Sequence, residues 1–144
     1  MDSIPPLTDQ YALTLCAAAF MLVTVVAQQI IATFAHRAQD NAVPGKVSEQ
    51  LGHDSFVFRS HSTFMNSLEN IPHMFGFIVL AMLLQVDAQA LAIITWVYAA
   101  ARLMHMVLYY AVATDKNPSP RSHFFAIAFL AELTLVGYVV AALV

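Results

Sequence analysis

The chain has 144 residues, the size of one domain. Hydrophobic residues make up 60% and charged residues 10%, far more apolar than an ordinary soluble domain. The net charge of -3 gives no basis for nucleic-acid binding, and the single cysteine, Cys16, excludes a disulfide framework or a multi-cysteine zinc site.

The opening "IPPL" suits a short extended lead-in, because proline restricts the residue before it. The first apolar segment follows at about 11–35. No Lys or Arg precedes it and its apolar run exceeds a signal-peptide core, so it is expected to be retained as a helix. Cys16 is expected to be a small buried hydrophobe within it. A polar connection, about 36–62, contains "DNAVPGKVSEQLGHDS" and has room for a short surface helix. His36 and His53 are expected to be loop residues, with His61 and His123 solvated near the membrane interface.

Three further apolar segments follow at about 63–84, 88–113 and 123–144. All four approach or exceed the roughly 20 residues a helix needs to cross a bilayer. None alternates with the two-residue period of a barrel strand. Helices also satisfy their own backbone polar groups, as lipid requires. The expected fold is all-α: an integral-membrane four-helix bundle in one domain, 1–144. Pro72 should kink or loosen the second span. "QVDAQ" reads as a tight turn, and "TDKNPSPR" as a breaker-rich loop leading into the last span.

Arg37, Lys46 and Arg59 flank the first connection, and Lys116 and Arg121 the third. The positive-inside rule makes that side cytoplasmic and places both termini on the periplasmic or lumenal side.

Three charges fall at membrane depth: Glu69, Arg102 and Glu132. Such groups are costly in lipid and usually face the bundle interior. At about 1.5 Å per residue, all three lie in the cytoplasmic half or near the midplane, so Arg102 is expected to pair with Glu69, Glu132 or both. Asn66, Glu69, Asn70 and His73 share one helical stripe, and Arg102, His105 and Tyr109 a second. Facing one another, they would line a polar cleft open to the cytoplasm. Glu132, alone on its span, reads as a residue that fixes helix register. A haem or metal protein using His73 and His105 would not need Glu69, Asn66 and Arg102, so no metal is expected.

"RSHSTFMNSLENIPHMF", then "ARLMHMVLYY", then "PSPRSHFF", resembles the MAPEG family, the membrane-associated proteins in eicosanoid and glutathione metabolism. The resemblance covers nearly the whole chain and points to the bacterial branch resembling microsomal glutathione transferases, in a bacterial inner membrane. It implies a homotrimer that binds glutathione as co-substrate between protomers, toward the cytoplasmic side. Asn66 and Glu69 match the second-span motif, in which the Glu meets the amino end of glutathione and the buried Arg. Arg102, His105 and Tyr109 match the third-span motif lining the same pocket. Arg121 matches the basic residue near the glutathione sulfur, with Ser122 after it. Arg59 matches an upstream Arg, and Arg37 is a looser counterpart. Ser62 and Phe64 stand where the family commonly has Arg and His, which leaves Arg59 or His61 to supply a basic contact.

What the resemblance implies is a transferase or peroxidase. Arg121 would favour the thiolate, Ser122 or Tyr109 would donate a hydrogen bond to it, and a lipophilic electrophile or hydroperoxide would arrive from the bilayer. The alternative is a non-catalytic membrane protein of the same fold that binds a lipid or a protein partner.

Overall fold

A computed structural model describes residues 6–40 and 42–144. The lead-in expected for "IPPL" lies partly outside the described residues. A one-turn helix, α1 (Leu7–Gln10), precedes four long ones: α2 (Ala12–Arg37), α3 (Phe56–Leu83), α4 (Ala88–Ala111) and α5 (Pro120–Leu143). No strand occurs among the described residues. Three helices, α2, α4 and α5, are long and apolar enough to cross a membrane. α3 is the longest, at 28 residues, but Arg59, Glu69 and its asparagines make it more polar.

Helix ends follow local chemistry. The Asp87 carboxylate accepts from the Ala90 N–H at 2.8 Å and caps α4. α5 opens on Pro120, whose missing N–H costs nothing in the first turn. α3 starts about two turns before the apolar run that marked the second span. "FVFRSHS" contains no helix breaker, and a helix at a membrane interface need not be apolar. The described residues of the connection 38–55 form turns and bends, without the short helix allowed for there. α3 continues through Pro72, and the Tyr98 hydroxyl of α4 donates to the Asn70 carbonyl, 3.1 Å away, just upstream of it.

Alanines let the helices approach closely. Ala17 and Ala81 are fully buried, and Ala99, Ala101, Ala128 and Ala131 nearly so, and α4 and α5 pack most extensively. Met21, Met74, Ile78, Leu91 and Leu135 fill the spaces between them. Val23, Phe34, Leu83 and Leu130 point outward. Cys16 is exposed, contrary to expectation. The buried line of α2 runs through Thr14, Ala17, Ala18 and Met21. In an apolar helix both core and lipid faces are apolar, so composition does not orient Cys16.

The two ends of the molecule are built differently. At one end the Tyr11 hydroxyl donates to the Val86 carbonyl at 2.8 Å, and the Trp96 indole to the Leu13 carbonyl at 3.1 Å. These bonds tie the start of α2 to the α3–α4 turn and to α4. The opposite end gathers the connection 38–55, the loop 112–119 and Arg37, Lys46, Arg59, Lys116 and Arg121.

Candidate functional site

The polar stripe of α3 meets α4 through Arg102. Its Nη2 donates to Asn66 Oδ1 at 2.8 Å and to Ser67 Oγ at 3.3 Å. The expected ion pairs do not form within the chain. Arg102 lies within 4.0 Å of neither Glu69 nor Glu132, and Glu69 is exposed. Helix geometry gives the reason. The buried line of α3 runs through Ser60, Thr63, Ser67, Ile71 and Met74. At about 100° per residue, Asn66, Asn70 and His73 fall on one flank of that line and Glu69 lies farthest round, on the outer surface. Spacing established the stripe but not the direction it faces. Glu132 pairs instead with His73, joining α5 to α3, which fits the register-fixing role read for it.

One and two turns beyond Arg102 on α4 come His105, which is buried, and Tyr109. Their rings meet edge to face with centroids 5.6 Å apart. Over the Tyr109 ring sits Arg121, from the first turn of α5, its Cζ 4.0 Å from the centroid. Arg121 Nη2 also reaches His53 Nε2 at 3.3 Å and the Thr114 carbonyl at 3.5 Å. His53 is therefore a site residue that sequence reasoning left in a loop. It packs between Phe58 and Tyr109, with ring centroids 4.9 and 5.7 Å away. With Nε2 accepting from Arg121, its ring proton sits on Nδ1. A loop residue shows no periodicity, so no signal in the sequence marked it.

Arg59 holds His53 in place. Its Nη1 donates to the carbonyls of His53 at 2.6 Å and Asp54 at 2.9 Å, fastening the end of the loop to α3. Ser122 helps close the start of α5. Its Oγ accepts from the Ser119 N–H at 3.2 Å and lies 3.0 Å from Ser119 Oγ. When Ser119 Oγ is the donor in that second contact, the Ser122 proton is free for a ligand. Arg37 stands apart from this cluster, beside a different cavity between α2 and α3.

Among the described residues, seven buried side-chain polar atoms have no hydrogen-bond partner, and five belong to this end: His53 Nδ1, Arg59 Nε, Arg102 Nε, Tyr110 Oη and Arg121 Nη1. Three of these are guanidinium nitrogens, which can only donate. Buried donors normally find acceptors, so a concentration of orphans calls for an explanation. A ligand rich in anionic oxygen or sulfur supplies one.

The fold and this site define an all-helical membrane protein with a basic, aromatic-lined site at one end of its helices. The chain belongs to the MAPEG family, whose model matches residues 13–141. No curated protein matches the chain.

Proposed function

We propose that this protein binds glutathione and activates its thiol against a lipophilic electrophile or hydroperoxide, as a membrane glutathione transferase or peroxidase. The observation that carries the reading is the set of unpartnered guanidinium donors on Arg59, Arg102 and Arg121, gathered at one end with Tyr109 and His105. Glutathione offers two carboxylates and a sulfur as acceptors, and an ammonium that needs an anion. Glu69 supplies the anion. It faces outward from its own chain, so the reading includes assembly: in a homotrimer, a neighbouring copy covers that surface and closes the pocket. All four long helices then cross the bilayer. The five basic residues at the site's end favour a cytoplasmic site with both termini on the other side, and the resemblance to the bacterial branch favours an inner membrane.

A free thiol titrates near 8.5, and the thiolate is the nucleophile. A fixed cation a few ångströms away lowers such a pKa by about one to three units. Arg121 has this role, held over Tyr109 and against His53. Tyr109 and Ser122 offer hydroxyl donors to the sulfur. With a carbon electrophile, the sulfur's electron pair forms the C–S bond and the leaving group departs with its own pair. With a hydroperoxide, the sulfur attacks the terminal oxygen and the O–O bond breaks. The alcohol is released, and a second glutathione converts the sulfenic acid to disulfide and water.

A second reading, a non-catalytic membrane protein that binds a lipid or protein partner, is favoured by one observation. Arg59, expected to stand in for the basic residues missing at Ser62 and Phe64, spends Nη1 on loop carbonyls. Calorimetric titration of glutathione into detergent-purified protein, alongside conjugation to a chlorodinitrobenzene, separates the two. Binding with turnover that Arg121→Ala abolishes supports the enzyme. Absence of both leaves the second reading standing.

A further inference from the structure

α3 has two flanks, and the second carries its own cavity. On the flank opposite Asn66 and Asn70 lie Val57, His61 and Phe64, facing the last turns of α2. Residues 42–47 of the connection fold over the gap, held by His36 Nε2 against the Val43 carbonyl at 2.8 Å. The half-open cavity has a volume of about 260 Å³.

Its lining divides by chemistry. Arg37 and Lys46 are its fixed charges, and His36 and His61 add imidazoles. Among the described residues, no carboxylate lines it. Ala32, Val57, Phe64 and Met65 give it an apolar wall. Arg37 and Lys46 are exposed and have no carboxylate within 4.0 Å among the described residues. Glutathione suits this space poorly, because its ammonium would meet only cations. A molecule with an anionic head and a hydrocarbon body suits it well. The volume falls at the lower limit for small-molecule sites, enough for a headgroup and its first methylenes with the remaining chain in the bilayer. The end of a membrane-spanning helix is where such a molecule presents its head.

We propose that the cavity between α2, α3 and the first connection is a binding site for an anionic phospholipid, its phosphate held by Arg37 and Lys46 and the start of its acyl chain lying against Phe64 and Met65. Within the protomer the cavity shares no lining residue with the Arg102–Arg121 cluster, and the proposal does not rest on that cluster binding glutathione. A phosphate head and free phosphate share the same recognition chemistry, so the test must part them.

The experiment is native mass spectrometry of the full chain in detergent, equilibrated with equal amounts of phosphatidylglycerol and phosphatidylcholine of matched acyl chains. Phosphatidylglycerol adducts are expected to predominate. The double substitution Arg37→Gln with Lys46→Gln should weaken phosphatidylglycerol retention about 25-fold, at about fivefold per cation, and leave phosphatidylcholine unchanged. Ala32→Phe keeps both charges but fills the apolar part, and should also displace the lipid. This keeps the test decisive if the double variant folds poorly. Equal retention of the two lipids overturns the proposal, as does full retention by Ala32→Phe, which would mean surface charge alone. Displacement by millimolar inorganic phosphate would make a soluble anion the ligand. Displacement by glutathione would merge the cavity with the other site. Either result overturns the assignment to lipid.

Discussion

The two ends of the helices differ in how their polar groups are used. At the Tyr11 end, long side chains close on backbone carbonyls, Tyr11 on Val86 and Trp96 on Leu13, and Asp87 caps α4. Of the buried unpartnered atoms among the described residues, only the Thr14 hydroxyl lies near that end. At the Arg121 end, three guanidinium nitrogens, on the buried Arg102 and the half-buried Arg59 and Arg121, have no partner among the described residues. A polar group that meets its partner within the chain serves as a clamp. A buried cation with unspent N–H groups is open to a partner from outside the chain. Polarity alone does not distinguish the ends, since both carry tyrosines and charged residues. Satisfaction of hydrogen bonds does.

That contrast is broken most severely at Arg121. Removing a fixed, buried donor aimed at developing charge costs about 100- to 1,000-fold in turnover. Arg121→Ala is expected to lose conjugation activity by that factor, measured in detergent under saturating glutathione. Arg121→Lys keeps the charge but loses the planar stacking on Tyr109, and should recover only part of the loss. Full activity in Arg121→Ala would remove the sulfur-activating role and leave the end a structural one.

Next in size is His53→Ala. His53 positions Arg121, and a misplaced cation costs about tenfold or more in turnover while scarcely changing glutathione affinity. The split between kcat and KM tells positioning from binding. A parallel loss in both would mean that the loop 38–55 had come away from α3. Glu69→Gln should produce the reverse pattern. Glu69 is exposed in its own chain and makes no ion pair there, so the protomer loses nothing by its neutralisation. Glutathione affinity is expected to fall about tenfold, the scale of one charge-assisted hydrogen bond, with the thermal unfolding midpoint unchanged. An unchanged affinity would sever Glu69 from the ligand.

How much of this was legible beforehand depends on the kind of information each residue carries. Helical spacing placed Asn66 with Glu69 and Arg102 with His105 and Tyr109, and the Asn66–Arg102 contact joins the two stripes. The family match supports the membrane placement of helices that composition first suggested. Spacing gives relative angle only, so it could not show that Ser67 marks the buried line and that Glu69 turns outward. It also could not pair Glu132 with His73 rather than Arg102, because that choice depends on how α5 sits against α3. Apolarity located the helices yet left Cys16 misjudged, since lipid and core make the same demand on a side chain. His53 and the start of α3 were missed for a shared reason. Both lie outside the apolar runs that carry the periodic signal.

The smallest effect tests the satisfied end. Tyr11 is buried, and its hydroxyl donates one bond to the Val86 carbonyl. Tyr11→Phe removes that donor, keeps the ring, and leaves the carbonyl at the α3–α4 turn to find another partner. The expected cost is about 1 kcal/mol of stability, read as a lowered unfolding midpoint in detergent. Glutathione binding and turnover should remain as in the parent, because Tyr11 precedes α2 and meets the α3–α4 turn, at the end opposite Arg121. A clamp loses stability and nothing else. If Tyr11→Phe lowered turnover as much as His53→Ala, the two ends would be energetically coupled through the helices, and unspent hydrogen-bond donors would no longer mark where the chemistry is confined.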